Sequence, residues 1–133
     1  MQEKIYDLNS KIDFTLLDPR ATNCDIEKLC DIAYKNKYYS VCVNPYYVGY
    51  AKGYIAKHFF NEVKVVSVVG FPLGANTTNI KCSEIKQAID DGADEVDVVV
   101  NIGRVKSGDF AYIKKELTKI RKAAKNHIFK LII

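Results

Sequence analysis

The chain has 133 residues, a net charge of +4, 48% apolar side chains and 27% charged ones. That supplies one core and excludes a disordered tail or linker. Lysines alternate with Asp and Glu without a long run of like charge, and no apolar stretch approaches a signal core or a membrane span, so neither nucleic acid nor membrane is an expected partner.

Short apolar runs alternate with amphipathic stretches along the whole chain. Residues 11–17 (KIDFTLL) read as a strand, broken by Asp18-Pro19. Thr22 or Asn23 then caps a helix whose apolar positions Ile26, Leu29, Cys30 and Ala33 follow the i, i+3, i+4, i+7 spacing of a helix resting on a sheet. Residues 39–43 form a second strand, stopped by Asn44-Pro45, and 48–60 a helix weakened by Gly49 and Gly53. The Val-rich run 63–69 reads as a strand buried on both faces. After a loop at 70–75, Thr78 or Asn79 opens a helix that closes at Asp91-Gly92. Residues 96–100 form the fourth strand, Ser107-Gly108-Asp109 leads into a helix striped by Phe110, Ile113, Leu117, Ile120 and Ala124, and 129–133 opens a fifth strand. The βα alternation implies parallel strands joined by helical crossovers, and it fits a doubly wound sheet or part of a (β/α)8 barrel equally well.

Asp97 stands out because it interrupts VDVVV, a run that should be buried. A carboxylate there has to be paired, hydrogen-bonded or protonated, and is a candidate functional residue. Side chains two apart on a strand share a face. Asp13 with Thr15, Ser40 with Cys42 and Asn44, Glu95 with Asp97, Val99 and Asn101, and Lys130 with Ile132 therefore form sets that would gather polar groups on one concave face. Gly74 lies in a loop that lacks both the dinucleotide and the phosphate-loop fingerprints, and is expected to serve backbone geometry. Lys81 and Glu84, three apart on a helix, are expected to form a surface ion pair. Cys24, Cys30, Cys42 and Cys82 have no CxxC or zinc-type spacing, so free thiols in a reducing cytoplasm and no metal are expected. No role is assigned to His58 or His127.

Segments IDFTLLDPRAT at 12–22, SVCVNPYYV at 40–48, VVGFPLGANTTNIKCSEIKQAI at 68–89, DDGADEVDVVVNIGRVKSGD at 90–109 and KLII at 130–133 together resemble the deoxyribose-phosphate aldolases. The resemblance implies a (β/α)8 barrel of which residues 1–133 are one incomplete domain ending in strand five, with two strand edges left unpaired. It implies a class I aldolase without metal or cofactor. Such an enzyme reversibly cleaves the phosphorylated sugar 2-deoxy-D-ribose 5-phosphate to D-glyceraldehyde 3-phosphate and acetaldehyde through a lysine Schiff base. Carried over by position, Asp97 matches the family's proton donor and acceptor, and Asp13, Thr15, Cys42 and Lys130 match positions lining its substrate pocket. Phe14 stands where family members often have His. The family's Schiff-base lysine lies in a KTSTG-like segment of the sixth strand, and no lysine here aligns with it, so the isolated chain is expected to be inactive. A homo-oligomer stays open, as does a non-catalytic, partner-binding fragment of the same fold.

Overall fold

The computed structural model describes residues 8–133. Five strands, β1 (Asp13–Leu16), β2 (Ser40–Val43), β3 (Lys64–Val69), β4 (Glu95–Val99) and β5 (Ile128–Ile132), form one parallel sheet in the order β1-β2-β3-β4-β5. The helices are α1 (Asn23–Lys35), α2 (Val48–Phe59), α3 (Thr78–Asp90), α4 (Ile102–Lys106) and α5 (Phe110–Ala124), with a 3-10 turn at Pro45–Tyr47 before α2. A doubly wound sheet reverses its strand order at a switch point. Here the order never reverses, so the winding is that of the first βα units of a (β/α)8 barrel. β1 and β5 each pair with a single neighbour.

The main core lies between the sheet and its helices. Ile26, Ile55, Ile85 and Ile120, one from each of the four longer helices, are fully buried against Val41, Val43, Val65, Val69, Val96 and Val98. Each such isoleucine contributes roughly 1.5–3 kcal/mol by leaving water. Among the described residues, the opposite face carries a small apolar cluster of Cys42, Val66 and Val68, joined by Leu17. The strand registers Asp13↔Ser40, Thr15↔Cys42, Cys42↔Val66, Val68↔Asp97 and Asp97↔Lys130 put the expected polar sets on that second face, away from the core helices.

Local signals explain where elements start and stop. Asp25 accepts from the Thr22 backbone N–H at 2.8 Å, closing the first turn of α1, and Asp109 Oδ1 accepts from Tyr112 N at 3.0 Å to cap α5. Gly74 has φ +62, and a Cβ there would lie 2.0 Å from the Val100 carbonyl oxygen, so only glycine lets the β3–α3 loop pack on the end of β4. Helix α4 is an addition to the expected elements: Asn101 follows the Val run directly and caps this single turn by accepting from Arg104 N at 3.1 Å.

The expected surface pair of Lys81 and Glu84 does not form. Lys81 is fully buried, and its Nζ donates to the Val99 carbonyl at 2.9 Å and to Glu116 Oε1 at 3.2 Å. Glu84 instead accepts from the Gly70 backbone N–H at 3.0 Å. The side of α3 that bears Lys81 faces α5 and the end of β4, so spacing within the helix could not reveal its partner.

Candidate active site

The face away from the core helices is concave and its centre is charged. Lys130 Nζ on β5 donates to Asp13 Oδ2 on β1 at 2.8 Å and to Glu95 Oε2 on β4 at 2.9 Å, and stands 3.3 Å from Asp97 Oδ1. One ammonium therefore meets three carboxylates. The Asp97 contact is the longest of the three and poorly aligned: Oδ1 is buried and takes no well-formed hydrogen bond, while the ammonium directs its short bonds to the other two acids. Behind those acids, Ser40 Oγ donates to Asp13 Oδ1 at 2.5 Å and the Tyr39 hydroxyl donates to Glu95 Oε1.

These environments set protonation. Burial raises the Asp97 pKa above the usual carboxylate value, assisted by the charges of Asp13 and Glu95, while Lys130 opposes the shift without cancelling it. Burial alone would lower the Lys130 pKa, but its hydrogen bonds to Asp13 and Glu95 prevail and hold it above the ordinary lysine value. At neutral pH Lys130 is thus an ammonium and no nucleophile. The Cys42 thiol, 3% exposed, is pushed up to about 12, mainly by burial, and is neutral at physiological pH.

Asp13, Asp97 and Lys130 therefore converge on one point. Cys42 lies on the same face, against Val66 and Val68. Thr15 is beside it by register, its Oγ1 turned back on the Asp13 carbonyl at 2.9 Å, and it also lines an open groove of about 530 Å3 between β1 and α1 that does not include Asp97. Glu95, Ser40 and Tyr39 were not singled out as site residues. Strand parity carried a signal for Glu95 and Ser40, which share a face with Asp97 and Cys42 respectively. Tyr39, expected as the first residue of the second strand, lies just before β2, and nothing in its local sequence marks it.

Asp97 is thus a half-buried acid on β4, 3.3 Å from an ammonium that spends its short hydrogen bonds on two neighbouring carboxylates. The model of the DeoC/LacD family aldolases matches residues 9–133. The chain belongs to that family. The deoxyribose-phosphate aldolase of Thermococcus gammatolerans is 49% identical over 118 residues, which cover 89% of this chain and 52% of that protein. The deoxyribose-phosphate aldolase of Finegoldia magna is 46% identical over 127 residues, covering 96% of this chain and 58% of that one. Among solved structures, QR15, an aldolase, superposes with a TM-score of 0.87 at 35% identity, over 96% of this chain and 55% of its own. The tetrameric deoxyribose phosphate aldolase from Aeropyrum pernix gives 0.68 at 29% identity, over 95% of this chain and 64% of its own. The chain spans about half the length of the curated relatives it matches.

Proposed function

We propose that this aldolase-family chain supplies the first five strands, as one incomplete barrel domain, of a deoxyribose-phosphate aldolase acting in the cytoplasm on 2-deoxy-D-ribose 5-phosphate. The observation that carries the reading is Asp97: a half-buried carboxylate on the concave face whose pKa burial raises, 3.3 Å from an ammonium that spends its short hydrogen bonds on Asp13 and Glu95. In a class I aldolase an amine adds to the carbonyl carbon to give a carbinolamine, whose hydroxyl leaves as water once protonated, forming the Schiff base. Cleavage of the carbon–carbon bond then needs a base to take the proton from the hydroxyl of the departing aldehyde. An acid whose pKa is raised toward neutrality serves both transfers, giving a proton in the first and accepting one in the second. Lys130 supplies positive charge beside Asp97 and is too firmly protonated to be the amine, which the rest of the barrel has to provide. Asp13, Thr15, Cys42 and Lys130 border the space where the sugar would lie, and the tetrameric relative makes a homo-oligomer a reasonable assembly for the complete enzyme.

The test joins this chain to the C-terminal half of the Thermococcus gammatolerans enzyme and measures cleavage of the phosphosugar with and without Asp97→Asn. Turnover should fall by about 10² to 10⁴, the usual contribution of general acid–base catalysis. Stability should not fall with it. The folded-state pKa of Asp97 is raised, so whatever stability the group contributes is present below its unfolded pKa and is lost as pH rises through the folded one. Asparagine removes that loss at neutral pH. Near-normal turnover in the variant would return Asp97 to a packing role.

A further inference from the structure

Lys130 does not share its hydrogen bonds evenly among the three acids around it. Asp13 and Glu95 take bonds at 2.8 and 2.9 Å, whereas Asp97 Oδ1 at 3.3 Å takes no well-formed one. Both favoured acids are braced from behind by consecutive residues at the entry to β2. Ser40 Oγ binds the second oxygen of Asp13 at 2.5 Å, and the Tyr39 hydroxyl binds the second oxygen of Glu95. Each of these carboxylates thus spends one oxygen on its brace and the other on Lys130.

We propose that Tyr39 and Ser40, acting through Glu95 and Asp13, are positioning residues that hold the Lys130 ammonium at the floor of the concave face, so that Asp97 feels its charge from 3.3 Å without being tied up by one of its short hydrogen bonds. The proposal rests on the reading of Asp97 as the proton-transfer group. Without the brace, Lys130 has the reach to turn a proton onto Asp97, which would stabilise the carboxylate and make it a poorer base.

The other groups facing Asp97 do not supply an alternative control. β1 presents Asp13, β2 the neutral thiol of Cys42, β3 the apolar Val66 and Val68, β4 Glu95 and β5 Lys130. Glu95 opposes ionisation of Asp97 in two ways: it is a like charge, and it occupies the ammonium. Glu95→Gln removes the like charge and weakens the hold on the ammonium, since a neutral amide oxygen is a poorer acceptor than a carboxylate, and both changes move Asp97 in the same direction. Removing Lys130 moves it in the opposite direction.

The experiment is a carbon-13 carboxyl NMR titration of Asp97 in the 133-residue chain, comparing the parent with Glu95→Gln, Tyr39→Phe and Lys130→Met. Glu95→Gln should lower the Asp97 midpoint by about half a pH unit or more, roughly a threefold loss of proton affinity. Tyr39→Phe, which removes one hydroxyl from a partly exposed ring, should give a smaller shift of the same sign, and Lys130→Met an upward one. An Asp97 midpoint that stays put or rises in Glu95→Gln, with the amide spectrum otherwise native, overturns the proposal. Should Glu95→Gln lose the fold, Tyr39→Phe decides, and an unmoved midpoint there overturns it equally. The titration reads Asp97 without turnover. Downward shifts alongside undiminished turnover of Asp97→Asn in the joined barrel would remove the catalytic reading and leave the brace standing. Unmoved midpoints alongside lost turnover would do the reverse.

Discussion

Replacing Lys81 by methionine keeps most of the side-chain volume and deletes one charge from a pair with no water around it. Lys81 and Glu116 side chains are 0% and 1% exposed, Glu116 Oε2 already lacks a partner, and Glu116 Oε1 would keep only the Thr78 hydroxyl at 3.2 Å. Breaking one side of such a pair typically costs about 3–5 kcal/mol, because the surviving charge stays buried. Lys81→Met additionally strips the Val99 carbonyl of its 2.9 Å donor, worth a further roughly 1–3 kcal/mol. Glu116→Leu leaves the Lys81 ammonium with one carbonyl acceptor and should cost about 3–5 kcal/mol by the same reasoning. The double replacement removes both charges and leaves chiefly the Val99 carbonyl unsatisfied, so it should be destabilised by only about 1–3 kcal/mol.

The double variant should therefore be more stable than Lys81→Met, and the coupling between the sites should be at least about 3 kcal/mol. Since a domain of this kind has roughly 5–15 kcal/mol in total, Lys81→Met alone could abolish folding while the double variant regains it. Urea melts at one low protein concentration, read by circular dichroism, give the four stabilities. Additive costs, or a double variant less stable than both singles, would show that Lys81 and Glu116 are not an electrostatic unit and refute the reasoning.

Gly74→Ala should cost more than about 1–3 kcal/mol in the same melts, since it forces a Cβ to 2.0 Å from the Val100 oxygen at φ +62. Gly53→Ala, with open space around the position inside α2, should gain about 0.5–1 kcal/mol; a loss there would show that the helix surface is not free. With iodoacetamide at pH 8, exposed Cys24 should be alkylated well before Cys42, whose thiol is buried and pushed up to about 12; equal labelling rates by peptide mass spectrometry would contradict that environment. Acetaldehyde with borohydride at neutral pH should leave Lys130 unmodified, because its raised pKa keeps it an ammonium until well above neutrality; a specific adduct on Lys130 would show that its charge is not held.

The strands and longer helices were legible in the sequence because each carries its own period. The Thr22 cap, the stripe Ile26, Leu29, Cys30 and Ala33, and the Val-rich β3 sit where local pattern puts them. Pattern could not choose between barrel and doubly wound sheet, since that choice depends on which strands become neighbours; the uninterrupted order of the sheet decides it. Within the site, Asp97 was conspicuous as a charge in an apolar run, and parity placed Asp13, Cys42 and Lys130 on its face. The hydrogen bonds of Lys130 were not legible, because they join β5 to β1 across the curvature of the sheet, and Asp13 and Lys130 are 117 positions apart.

Lys81 and Asp97 show why one buried charge is visible in a sequence and another is not. Asp97 breaks a period of two in which every neighbour is apolar, so the anomaly is local. Lys81 precedes Ile85 by one helical step, and Glu116 lies three after Ile113 and four before Ile120, so each falls on the inward stripe of its own helix. Taken singly, each reads as an amphipathic side chain at the edge of a stripe. Taken together, opposite charges on the inward stripes of two helices that pack against each other are a signal for a buried pair, and α3 and α5 are such neighbours. The lysine stem runs past Gly70, where a Cβ would lie 3.4 Å from Lys81 Cε and where φ +62 favours glycine. β4 is consequently gripped from both faces, by Lys81 on the Val99 carbonyl from the helix side and by Lys130 on Glu95 from the concave side, with Asp97 between the two points of attachment. A carboxylate left out of the short hydrogen bonds of Lys130 does not anchor its own strand through them, and these two lysines do so in its place.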